Sequence, residues 1–251
     1  MTRNPIRKVL SILRSHRVQF LLMGGQACVF YGAAEFSRDT DILFLAETEN
    51  VRKLSQALDA LHAECIAVPS FSTEFLKRGH AVHFRCHHPE AEGIRIDVMS
   101  VLRGVAPFEE LWKRRTTVET GSGEKYDLLS IPDLVQAKKT QRDKDWPIIR
   151  RLTEANYVQH RNDPTPRQIN FWLKELRTVP LLIEIARKYP ERLTELEAKR
   201  PLLAFAKSGD EEALSRSLEE EEKRNREDDE AYWAPLKEEL EKLRHNNPTD
   251  S

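Results

Sequence analysis

The chain has 251 residues, of which 39% are hydrophobic and 32% charged, and its formal net charge is −1. This length can bury one sizeable core, or one domain with a smaller helical companion. The recurring apolar pattern argues against disorder of the whole chain. The near-neutral charge argues against a protein that coats nucleic acid through bulk electrostatics, although it allows a local basic patch.

Membrane and secretory classes are also disfavoured. No segment reaches the roughly 20 apolar residues that span a bilayer. Near the N-terminus, Ile6, Val9, Leu10 and Leu13 recur at helical spacing among arginines, which predicts a helix and not a signal peptide. The three cysteines are scattered and odd in number, which argues against a disulfide framework. We therefore expect a cytoplasmic protein without a membrane partner.

Strand and helix patterns alternate through about the first 150 residues. A short apolar run at 18–23 ends in a glycine pair and predicts a buried strand, followed by a helix at 26–34. A second strand is predicted at 41–45, and an amphipathic helix begins near Val51. The remaining strands of this half are predicted at 82–86, 94–99, 116–119 and 125–129, the last two as a hairpin.

Helical patterns dominate the rest of the chain. Ser130–Asp133 has the form of a capping box and starts a helix predicted to run through residue 139. A further helix is predicted from 143 to about 157, and the stretch 160–166, with two prolines, is predicted to be a linker. Everything after it is predicted to be helical, including a mixed-charge helix at 219–230 that is expected to face solvent.

A glycine pair and an Asp-x-Asp pattern form the most specific motif. Gly24 and Gly25 follow the first predicted strand, and Asp39 and Asp41 come after thirteen intervening residues. Glycines at a strand-to-helix turn let the backbone approach a phosphate, whose charge helix N-terminal amides favour. Residues two apart in a strand share a face, so the two carboxylates lie side by side and repel unless a cation intervenes. Magnesium bound to substrate phosphates meets that requirement.

A third acid, Asp97, lies in the predicted strand at 94–99, on the face opposite Ile96 and Val98. An acid in a central strand is costly if it is buried and unpaired. If its strand neighbours that of Asp41, Asp97 can complete the metal site and act as general base toward an acceptor hydroxyl.

The glycine pair, the Asp-x-Asp pattern and Asp97 together resemble the motif of the DNA polymerase beta-like nucleotidyltransferase superfamily. The resemblance covers roughly residues 15–157, and its small bacterial members include antibiotic-modifying enzymes and toxins. It extends to the segment Lys138–Asp145, KKTQRDKD, which is similar to the basic motif that closes many small members. One mild departure is Thr40, where an aliphatic residue is more usual; threonine still suits a strand.

The resemblance implies an α/β (α+β) nucleotidyltransferase fold at residues 1–158, with a mixed sheet flanked by helices, followed by a C-terminal helical domain at 166–251. It implies magnesium as the cofactor, with manganese as an alternative. The implied catalytic and metal-binding residues are Asp39, Asp41 and Asp97. The implied or candidate nucleotide-binding residues are Gly24, Gly25, Arg38, Lys138, Lys139 and Arg142.

Plainer roles for several of these residues stay open. Arg38 could bind a phosphate or pair with a neighbouring acid. Lys138 and Arg142 could line the triphosphate or form an internal salt bridge with Asp145 on a solvated face. The Cys/His-rich stretch at 80–88 lacks the paired spacing of a zinc site, which argues against zinc.

Two functions of different classes follow from these patterns. The first is a magnesium-dependent enzyme that moves a nucleoside monophosphate from ATP or another nucleoside triphosphate to an acceptor hydroxyl on a small molecule, a protein or a tRNA. The second is a catalytically silent module of a toxin–antitoxin type system that binds nucleotide or a partner. The presence of all three acids favours the enzyme. No residue in the C-terminal half identifies the acceptor, because specificity in such folds lies outside the metal site.

Overall fold

The computed structural model describes residues 5–246, which form two compact units. The first unit comprises the described chain up to Phe30, Ala34–Ala137 and the residues from Trp233 onward; the second comprises Tyr31–Ala33 and Lys138–Tyr232. The predicted domain boundary at 158–166 lies inside the second unit.

The first unit is built on a seven-stranded mixed sheet, with strand order β3-β4-β5-β2-β1-β7-β6. Its strands are β1 (Phe20–Leu22), β2 (Asp39–Phe44), β3 (Glu64–Cys65), β4 (Val82–Arg85), β5 (Arg95–Met99), β6 (Thr116–Glu119) and β7 (Lys125–Leu128). The pairs β2–β5 and β1–β7 are parallel, and the other neighbours are antiparallel. The predicted mixed sheet flanked by helices is therefore confirmed.

Amphipathic helices cover this sheet. They are α1 (Pro5–Ser15), α2 (Gly24–Phe30), α3 (Thr48–Ala60), α4 (Thr73–Arg78), α5 (Phe108–Lys113) and α6 (Ile131–Ala137). Helix α1 contacts α3 and β2, and it buries Val9, Leu10 and Leu13, as their helical spacing predicts. Leu54 and Leu58 of α3 are buried in the same way.

Several element boundaries differ from the predicted ones. Helix α2 begins at the glycine pair and ends at Phe30, before Gly32, whose φ of +72° breaks the helix. Strand β2 begins at Asp39, so both acids of the Asp-x-Asp pattern lie within it. Helix α6 ends at Ala137, and the short elements β3, α4 and α5 were not predicted.

The second unit is helical, as predicted for this part of the chain. Its helices are α7 (Asp145–His160), α8 (Pro166–Glu175), α9 (Val179–Lys188), α10 (Pro190–Glu197), α11 (Leu203–Ser208) and α12 (Glu211–Asn246), of which α12 continues into the first unit. Trp172 lies in its core, stacks edge-on against Tyr157 with ring centroids 5.1 Å apart and donates to Asn156. None of the described helices combines the length and apolar character needed to cross a membrane.

The mixed-charge run at 219–230 is helical, but two of its acids are wholly or largely buried. Glu221 accepts hydrogen bonds from Arg177 and Arg200, and Asp229 is buried and accepts from the backbone N–H of Gln141. The expectation of a fully solvated helix is wrong at these positions, because the charges are paired inside the second unit.

Candidate active site

The parallel pairing of β2 with β5 places the three acids on adjacent strands. Asp41 and Asp97 are Cα partners, and Asp39 is the partner of Arg95. Partners across a sheet, and residues two apart along a strand, project from the same face. Asp39, Asp41, Asp97 and Arg95 therefore share one face. The strand of Asp97 neighbours that of Asp41, which is the condition on which a role for Asp97 depends.

The glycine pair packs directly against Asp41. The N–H of Gly25 donates to Asp41 Oδ2 over 3.1 Å, and the N–H of Met23 donates to the Asp41 carbonyl over 3.0 Å. Gly24 has a φ of +59°, and a Cβ at this position would lie 2.0 Å from Asp41 Oδ2. A Cβ on Gly25 would lie 2.4 Å from Ser37 Oγ. Both positions therefore need glycine, and the N–H of Gly25, in the first turn of α2, points at the acid site.

Asp97 is held by two neighbours through one oxygen atom. Arg95 Nε donates to Asp97 Oδ1 over 2.6 Å, and His83 Nδ1, on the antiparallel strand β4, lies 2.8 Å from the same atom. His83 Nδ1 is also 3.0 Å from an Arg95 nitrogen, so it can bond to only one of the two groups at a time. Burial alone would raise the pKa of Asp97, but the hydrogen bonds from His83 and Arg95 outweigh it and lower that pKa below its ordinary value.

Arg95 is a cation that lies within this acid set. Burial disfavours its charged form, but the hydrogen bond to Asp97 and the charges of Asp97, Asp39 and Asp41 outweigh that effect and raise the pKa of Arg95. The Arg95 side chain is 40% exposed and that of Asp97 is 16% exposed, so solvent partly screens the pair. The guanidinium therefore offsets three carboxylates on one face of the sheet.

The chemistry of Asp39, Asp41 and Asp97 suits a magnesium or manganese ion, since carboxylate oxygens are the ligands that these ions prefer. The carboxylate of Asp39 and the Oδ2 of Asp97 accept no hydrogen bond from residues 5–246, so these oxygens are available to a metal ion. Within the same residues, no set of three His, Cys, Asp or Glu side chains is arranged to hold an ion without further ligands. Magnesium commonly takes one or two carboxylates and completes its shell with substrate phosphates and water. The donor set therefore fits an ion that enters together with a phosphate substrate.

The basic residues of the segment after α6 are paired with acids of the second unit. Lys138 Nζ and Arg142 Nε each lie 2.8 Å from a different oxygen of Asp145, and Lys139 binds Glu175. The side chains of Lys138 and Asp145 are only 8% and 1% exposed. Burial alone would raise the pKa of Asp145, but the charge and hydrogen bond of Lys138, together with other donors, lower it. The internal salt bridge left open by the sequence is present, and binding of triphosphate by these residues stays a prediction.

Arg38 lies just before Asp39 and is exposed to solvent. Among the described residues it forms no ion pair, and its guanidinium carbon lies 6.0 Å from the ring of Phe36. Phe36 itself is 69% exposed. Arg38 therefore keeps its charge available beside the acid site.

Sequence reasoning did not identify His83 and Arg95 as members of the site. Both lie on the same face as Asp97, and Arg95 is two residues from it along β5. That spacing was visible in the sequence. The pairing of His83 with Asp97 was not, because it depends on the register between β4 and β5.

Comparison with known proteins leaves the chain without an assigned family. Neither a protein-family model nor a curated protein matches the sequence. The structure is similar to the crystal structure of a putative nucleotidyltransferase from H. pylori, with 11% sequence identity and a TM-score of 0.40, over 87% of this chain and 94% of that one. A similarity of this degree assigns neither an activity nor site residues to the chain.

Proposed function

We propose that the chain is a metal-dependent nucleotidyltransferase that transfers a nucleoside monophosphate from a nucleoside triphosphate to an acceptor hydroxyl. The observation that carries the proposal is the pairing of Asp41 with Asp97 on parallel strands, with the Gly24–Gly25 turn packed against Asp41. A sheet face that gathers three carboxylates beside a glycine turn favours a bound cation and a close phosphate. We propose magnesium as the ion, with manganese as a substitute.

In the proposed reaction, the acceptor oxygen bonds to the α-phosphorus of the triphosphate. The bond from that phosphorus to the bridging oxygen of pyrophosphate breaks, pyrophosphate leaves, and the hydroxyl proton passes to a base. When bound, the metal would act as a Lewis acid, which neutralises phosphate charge and makes the hydroxyl more acidic. Asp39 and Asp41 would hold it from β2, and Arg38 would attract the phosphates.

Asp97 has two candidate roles, which are metal ligand and general base. Its pKa is lowered, so it is charged at neutral pH and a weak proton acceptor. This favours the role of metal ligand through Oδ2, which accepts no hydrogen bond from the described residues. We therefore propose that Asp97 binds the ion, and that the proton of the hydroxyl, which the bound metal would make more acidic, passes to the buffered solvent.

The direct test incubates the protein with each of the four α-labelled nucleoside triphosphates, magnesium and cell extract, and measures labelled product and released pyrophosphate. We expect transfer with at least one triphosphate and its loss in Asp41→Asn, whose amide oxygen can still accept from Gly25. Asp59→Asn is the matched control, since it removes the same charge from an exposed position on α3.

Asp97→Asn separates the two roles of Asp97. If Asp97 binds the metal, this variant should weaken manganese-dependent triphosphate binding as well as turnover. If it acts as base, binding should persist while turnover falls by about 10²- to 10⁴-fold. Binding of nucleotide without any transfer in the wild-type protein would instead support the silent module.

A further inference from the structure

Arg95 occupies a place in the acid site that the proposed reaction does not use. It is the Cα partner of Asp39 and donates to Asp97 from two residues away on the same strand. Carboxylates gathered on one sheet face repel one another unless a positive charge offsets them. Arg95 supplies such a charge through its contact with Asp97.

We infer that Arg95 is a built-in counter-ion, which neutralises Asp97 when no metal is bound and has to move away when a metal ion binds Oδ2 of the same carboxylate. The inference rests on the proposed function, because that function requires the metal. Oδ1 of Asp97 is occupied by Arg95 Nε at 2.6 Å and His83 Nδ1 at 2.8 Å, so a metal ion would bind Oδ2, on the same carboxylate as the guanidinium. A divalent cation beside a guanidinium would also be repelled by it.

The second neighbour of Asp97 explains how the carboxylate can keep its position during this exchange. His83 is the Cα partner of Asp97 on β4, so its contact comes from the opposite side to β2. Arg95 has a partly exposed side chain that can move into solvent, whereas the His83 contact is held by the pairing of two strands. Departure of Arg95 thus removes the repulsion between its guanidinium and a metal ion without releasing Asp97 from the sheet.

The chain offers a matched control for the charge of Arg95. Arg85 is its Cα partner on β4 and shares the same face, but it is exposed and forms no hydrogen bond or ion pair among the described residues. Replacing Arg85 by methionine removes the same charge from the same face without disturbing Asp97.

The experiment measures manganese binding to the full chain by the electron paramagnetic resonance of free Mn²⁺, both without nucleotide and with a nucleoside triphosphate, for wild type, Arg95→Met and Arg85→Met. We expect Arg95→Met to bind Mn²⁺ about fivefold or more tightly, since the guanidinium no longer repels the ion. Arg85→Met should stay within about twofold of wild type, because its charge is exposed and screened. In chelator, Arg95→Met should melt about 3 °C below wild type, and excess Mn²⁺ should remove that difference.

Two results would overturn the inference. One is an Arg95→Met protein with the Mn²⁺ affinity of wild type and no loss of melting temperature in chelator. The other is unchanged Mn²⁺ binding with weakened triphosphate binding, which would make Arg95 a phosphate ligand. A different result would show that the proposed function itself is wrong. Wild type and Arg95→Met would then both bind no Mn²⁺, even with each triphosphate present, and no labelled product would form.

Discussion

The contact between Gly24 and Asp41 gives a quantitative prediction for Gly24→Ala. An alanine there meets two costs, since the φ of +59° is left-handed and its Cβ would lie 2.0 Å from Asp41 Oδ2. The left-handed conformation costs about 1–2 kcal/mol for a residue with a Cβ, and overpacking costs about 1–3 kcal/mol. We therefore expect the free energy of unfolding to fall by roughly 2–5 kcal/mol, a large part of the about 5–15 kcal/mol that stabilises a typical protein.

Gly93→Ala is the control that separates these two costs. Gly93 has a φ of +75°, but a Cβ there would meet nothing within 4 Å, so only the conformational cost of about 1–2 kcal/mol applies. Urea unfolding followed by circular dichroism measures both variants, and the same change in an Asp41→Gly background should remove the excess cost at Gly24. If Gly24→Ala costs no more than Gly93→Ala, the carboxylate of Asp41 does not lie over the glycine.

Two further predictions concern stability. The Oγ1 of Thr40 is buried and has no hydrogen-bond partner among the described residues. Thr40→Val should therefore raise the free energy of unfolding by about 1 kcal/mol. An unchanged or lower value in urea unfolding would mean that the hydroxyl has a hydrogen-bond partner. Lys138→Met should lower the free energy of unfolding by about 3 kcal/mol, because it leaves the buried Asp145 without its buried partner. Arg142→Met should cost less than about 1 kcal/mol, because the Arg142 side chain is 57% exposed. Equal losses of stability in thermal unfolding would contradict the buried pair.

The part of the fold that rests on periodicity was predictable from the sequence. The buried stripe of α1 and the polar alternation of β4 both follow from side-chain direction in helices and strands. Short elements were missed for the opposite reason. Strand β3 has two residues, and α4 has six, too few to show a period, although Ser72 and Gly79 cap α4 as such residues commonly do.

The acids of the candidate site were found because their spacing is local, whereas their counter-ions were not. Asp39 and Asp41 lie two residues apart, so their common face could be inferred without tertiary structure. The contact of Asp97 with His83 needs the register of two strands, and a one-residue shift would reverse the faces. The partner of Lys139, Glu175, lies 36 residues away, beyond the reach of any local pattern.

The register between β2 and β5 also has a consequence for the order in which the protein folds. Strand β4 precedes β5 in the chain and neighbours it in the sheet, whereas the parallel pairing of β5 with β2 closes a much longer loop. We therefore expect β5 to pair with β4 first. Such non-local parallel pairings form slowly, because the entropy of loop closure has to be overcome first. During synthesis, Asp39 and Asp41 therefore emerge well before Asp97 and Arg95 can reach them. A chain interrupted before Arg95 would carry the two acids without the strand that pairs with theirs.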